Sequence, residues 1–107
     1  MAVVRGCLGQ LAPSADTETD LYTVPANKNA TVRVIATNRS TQATIRITIA
    51  KDGDATENKQ YIAYEQILAG NDSVSTAVII IGGNDVIRVR ANSANVSFCC
   101  SGIEQDD

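Results

Sequence analysis

Ile45, Ile47 and Ile49 alternate with Arg46, Thr48 and Ala50, and this two-residue period narrows the possible folds of the chain more than anything else in it. Successive side chains point to opposite faces of a strand, whereas a helix repeats near 3.6 residues. The period recurs where Val32, Val34 and Ala36 flank Arg33, and where Ile87, Val89 and Ala91 flank Arg88 and Arg90. It recurs again where Val96, Phe98 and Cys100 flank Ser97 and Cys99. Residue choice agrees: 31 of the 107 residues are Val, Ile or Thr, and only four are Leu. Branched Cβ atoms lose rotamer freedom in a helix and pack well on a pleated surface. The chain therefore reads as all-β.

Eight strands are expected, over residues 5–11, 21–24, 30–38, 43–51, 59–68, 73–81, 85–91 and 96–102. Asn, Asp, Gly and Pro fill the breaks, as in Lys51-Asp-Gly-Asp54 and Gly82-Gly-Asn-Asp85, and these residues favour turns. Strands at such spacing imply an antiparallel sandwich or jelly roll. Residues 62–68 are the one stretch that could instead hold a helical turn. Residues 1–19 carry Gly6, Gly9 and Pro13 before a polar run; they read as an N-terminal arm and linker, with residues 20–107 as the β-sandwich body. The end, Glu104-Gln-Asp-Asp107, reads as solvated.

With one Phe, three Tyr and no Trp, the core must be aliphatic, and Ile47 and Val89 should lie in it. A formal charge of −3 gives no electrostatic reason to expect nucleic acid, which selects a concentrated basic face. No apolar run approaches the roughly 18 residues needed to span a bilayer, and the start lacks the pattern of a secretory signal. No membrane partner is expected.

Catalytic chemistry finds few residues to use. Without His, nucleophile–His arrangements and most zinc sites are excluded. Asp52, Asp54 and Glu57 alternate as calcium ligands can, but their spacing fits no full calcium loop, and Lys51 and Lys59 flank them. No metal, cofactor or catalytic residue is assigned. Cys99 and Cys100 are adjacent, and Cys7 could meet one of them if the first and last strands lie side by side. Buried small apolar residues in a reducing compartment are the plainer reading of all three.

Contact surfaces are better supported. Val78, Ile79, Ile80 and Ile81 are apolar on both faces of one strand, which calls for a cover, either the N-terminal arm or a neighbouring subunit. Ile79 and Ile81 are taken as that contact, with Arg88 and Arg90 beside it, since Arg forks suit partly dry interfaces. Leu8 and Leu11 give the arm its own apolar contacts.

Leu21-Tyr-Thr-Val-Pro-Ala-Asn-Lys-Asn-Ala-Thr31, Asn38-Arg-Ser40, Tyr61-Ile-Ala-Tyr64, Ala69-Gly-Asn-Asp72 and Asp85-Val-Ile-Arg-Val-Arg-Ala91 together resemble a family of small virion structural proteins of tailed bacteriophages. Cys7-Leu-Gly-Gln10 resembles the opening arm of that family. Where its members carry Gly, this chain has Asn27, which also accepts left-handed turn geometry. The resemblance implies a non-enzymatic capsid decoration (cement) protein, made in the host cytoplasm and carried on the capsid surface. It further implies a homotrimer, a shell-gripping arm and the major capsid protein, or tail proteins, as partner. A tail-fibre or baseplate module binding host carbohydrate is the other reading the family allows.

Overall fold

The computed structural model describes residues 3–107, which form nine antiparallel strands in two facing sheets. In chain order these are β1 (Val3–Leu11), β2 (Thr19–Thr23), β3 (Lys28–Asn38), β4 (Ala43–Ala50), β5 (Tyr61–Leu68), β6 (Ser73–Ser75), β7 (Ile79–Gly82), β8 (Val86–Ala91) and β9 (Val96–Asp106). The larger sheet runs β1-β9-β3, and the far side of β3 carries β6 and β7 end to end. The smaller sheet runs β2-β8-β4-β5. Two single 3₁₀ turns, Lys51–Gly53 and Asn58–Gln60, join β4 to β5.

The alternation works as expected. Val32, Val34, Phe98 and Cys100 from one sheet meet Ile45, Ile47, Ile87 and Val89 from the other, all at most 2% exposed. Residues 62–68 are strand and not a helical turn, but a bulged strand: the register with β4 slips twice, between Ile45 and Ile47 and again before Thr48. Asn27, Asn71 and Asn84 adopt positive φ in the turns (64°, 59° and 69°), so Asn27 occupies the left-handed position for which glycine is the usual choice.

Three expectations need correction. The stretch 73–81 is two strands, because Arg33 and Val34 of β3 face three residues, Thr76, Ala77 and Val78. There the Thr76 hydroxyl accepts from the Val34 N–H at 3.0 Å, while the Thr76 N–H donates to the Val34 carbonyl at 2.9 Å. A side chain thus replaces one rung of the ladder. The acidic end is not merely solvated, because β9 continues to Asp106 with Glu104 level with Ala30. The described part of the expected arm is an integral strand: β1 pairs with β9 from Val3↔Gln105 to Leu11↔Phe98. At Gly9 a Cβ would lie 2.5 Å from the Leu21 carbonyl oxygen, so the absence of a side chain lets β1 close over β2.

Buried polar groups hold one corner of the sandwich. Asn38 is fully buried; its amide donates to the carbonyls of Thr41 (2.6 Å) and Leu68 (3.1 Å) and accepts from the Ser40 N–H (3.1 Å). One side chain thereby ties the β3–β4 turn to the end of β5.

Candidate functional site

The structure does not bring the six expected contact residues together. Leu8, Leu11 and Ile79 are half-buried and packed against the core, and Ile81 is 6% exposed within it. Arg88 and Arg90 lie on the outer face of the other sheet. Parity sets the exposure along β7, since in a strand buried on one side the neighbours of an inward residue point out. Ile80 is 78% exposed and Val78 51%.

Arg88 works inside its own chain. Its guanidinium donates to Asp20 (3.0 Å), the carbonyls of Asp54 (2.7 Å) and Gly53 (3.2 Å), and the Thr56 hydroxyl (3.2 Å). The loop considered for calcium is thus folded around a cation. Asp52 presents its N–H to Asp85, and Glu57 pairs with Lys59. Among the described residues no three carboxylate or thiol side chains converge as a metal set. Arg90 pairs with Asp16 at 3.7 Å and Arg46 with Glu65 at 2.8 Å. The Arg46 hydrogen bond holds the Glu65 carboxyl below its usual range. Arg46 also lies 4.6 Å from the centre of the Tyr64 ring, which meets Tyr61 edge-on. This face is a salt-bridged surface with a small polar hollow of about 150 Å³ bordered by Asp16, Thr44, Arg46, Glu65, Arg90 and Asn92.

The outer face of the larger sheet is different in kind. Register places Arg5, Ile103, Thr31 and Ile80 in one row across β1, β9, β3 and β7. The rows beside it hold Cys7, Ser101 and Arg33, then Gln10, Cys99, Ile35 and Ser75. Ile35, Ile80 and Ile103 are all exposed. Among the described residues neither Arg5 nor Arg33 lies within 4.0 Å of a carboxylate. Aliphatic groups and two guanidinium groups without a carboxylate partner among the described residues therefore share one face. Beyond its edge, between β5 and β6–β7, the two sheets part around an apolar groove of about 370 Å³ lined by Val34, Ile47, Ile49, Ile62, Val74 and Ile79.

No family model matches this chain, and no curated protein matches it. Among solved structures it is similar to a pentameric capsid protein isolated from metagenomic phage sequences, at 18% identity and a TM-score of 0.45 over 94% of this chain and 60% of that one. A second structure of a pentameric capsid protein from metagenomic phage sequences aligns over 94% of this chain and 62% of that one, at 17% identity and a TM-score of 0.46. The chain spans about three-fifths of the length of these proteins.

Proposed function

We propose that this protein is a structural component of a tailed-bacteriophage particle, a decoration (cement) protein that binds and stabilises the head shell as a homotrimer. The observation that carries the reading is Ile80, four-fifths exposed in a regular strand of a well-packed sandwich. The cover cannot be β1, which lies on the opposite edge of the sheet, with β9 and β3 between them. A second chain is then the natural cover. Burial of one such side chain is worth about 1.5–3 kcal/mol, and the symmetry of an oligomer repeats the gain at every copy. Arg5 and Arg33 on the same face suit an acidic, partly dry partner surface. The sequence resemblance supplies the particle as the setting. Particle components need stability and contact surfaces, which the fold provides.

The test is purification of DNA-filled heads that lack tails. A cement protein remains on them at stoichiometric occupancy, and its absence from such heads overturns the reading.

A second reading, a tail-fibre or baseplate module binding carbohydrate, is favoured by one observation. Tyr64 is 59% exposed beside the polar hollow of the smaller sheet, and an exposed ring over hydrogen-bonding groups suits a sugar. Arg46 already stacks on that ring, which weighs against it. Binding of isolated protein to host glycan, lost in Tyr64→Ala, would decide for this reading.

A further inference from the structure

Cys7 and Cys99 come from strands 92 residues apart in sequence, yet their sulfurs are 3.2 Å apart. Cys7 is level with Ser101, and the register between β1 and β9 slips at Leu8. A bulge of this kind bends the strand and re-aims side chains, and here it turns Cys7 along β9 toward Cys99. Both thiols lie on the outer face of the larger sheet, Cys7 exposed and Cys99 half-buried. Cys100, the next residue, points the other way and is fully buried in the core, so it can bridge neither its neighbour nor Cys7. We propose that Cys7 and Cys99 form a dithiol site that closes into an intrachain disulfide on reaction with a small oxidised disulfide, fastening β1 to β9.

The exchange balances in two steps. The exposed Cys7 thiolate attacks one sulfur of the small disulfide, breaking its S–S bond and expelling one thiol. Cys99 then loses its proton and attacks the Cys7 sulfur, forming the protein S–S bond and expelling the second thiol. The protein loses two hydrogens, and the small disulfide is reduced to two thiols. Burial and the contact with Cys7 raise the Cys99 thiol above its usual range in the reduced protein, and its exposure makes Cys7 the thiol that meets the small disulfide first. The closed bond joins the N-terminal strand, otherwise a sheet edge, to the central part of the sheet. It constrains the unfolded chain across the 92-residue separation of Cys7 and Cys99.

The test incubates reduced, folded protein with oxidised glutathione, followed by alkylation, intact mass measurement and peptide mapping. The expected product has lost two hydrogens, contains a Cys7–Cys99 cross-linked peptide and keeps one free thiol, Cys100. Its denaturant midpoint lies above that of the reduced protein. Cys7→Ser shows no bridge and no midpoint shift, and Cys99→Ser stops at a glutathione adduct on Cys7. Wild-type protein that retains all three thiols, stops at the adduct, bridges to Cys100 or cross-links between chains overturns the proposal.

Discussion

The Tyr22 hydroxyl on β2 donates to Glu104 Oε1 on β9 at 2.5 Å, a hydrogen bond from one sheet to the other. A bulge sets it up. The register between β2 and β8 slips between Asp20 and Tyr22, which turns both Leu21 and Tyr22 into the core. Glu104 belongs to the acidic terminus that sequence pattern marks as solvated, and its pairing makes β9 two turns of alternation longer than expected.

Burial first, and then the bond to Glu104 and its charge, push the Tyr22 phenol well above its usual value near 10. The folded chain keeps this proton while the unfolded chain releases it as pH passes about 10, so stability should fall as pH rises beyond that point. Burial pushes the Cys100 thiol from 9.0 to about 12, which adds loss of the same sign from pH 9 upward. Tyr22→Phe should cost about 1–3 kcal/mol at neutral pH and flatten the alkaline slope relative to the parent. Denaturant melts at pH 7, 9 and 11 measure both effects; an unchanged slope would remove the phenol from the account.

Arg88 should matter to the 51–57 loop more than to the core. Arg88→Ala removes a cation bonded to a carboxylate, two carbonyls and a hydroxyl, a loss of about 1–3 kcal/mol. Arg88→Lys should recover only part of it, because an ammonium lacks the planar fork. Limited proteolysis should locate the first new cleavage between Lys51 and Lys59. Cleavage elsewhere would mean that Arg88 does not organise the loop.

Asn38→Ala should cost about 1–3 kcal/mol by leaving the buried Leu68 carbonyl and the part-buried Thr41 carbonyl without their donor. Asn38→Asp should cost at least as much, since a buried carboxylate can accept but cannot donate to those carbonyls. Equilibrium unfolding checks both, and a loss below half a kcal/mol in each would contradict the role.

The core was legible because its signal is redundant: Ile45, Ile47, Ile87 and Val89 each lie in a segment where several neighbours enforce the same face. The split of residues 73–81 was not legible. No Gly or Pro marks it, and the cause is a hydroxyl of Thr76 whose partner, Val34, is far away in sequence. The full length of β9 was hidden because Glu104 and Gln105 read as solvated residues, although a sheet tolerates them where cross-strand partners exist. Arg88 and Arg90 were correctly placed opposite the aliphatic face, but nothing local showed that Asp20 and Asp16 would neutralise them. The apolar character of β7 was legible and its parity was not, because four consecutive apolar residues contain no polar marker to set the phase.

That parity can be tested by a paired substitution. Ile81→Asp puts a charge into the core and should cost several kcal/mol, giving an unfolded or aggregated product. Ile80→Asp should keep the far-ultraviolet circular dichroism spectrum of the parent and stay soluble and folded, its unfolding midpoint falling only by what subunit association adds to the parent. Similar damage from both would mean that the strand has no exposed face.

The central claim, that the outer face of the larger sheet is covered by another copy of the chain, is tested most directly by sedimentation equilibrium of the purified protein at micromolar concentration. The account predicts a wild-type mass three times that of the chain and a single-chain mass for folded Ile80→Asp. A wild-type protein that sediments as a single chain, or an Ile80→Asp variant that remains a trimer, would contradict it.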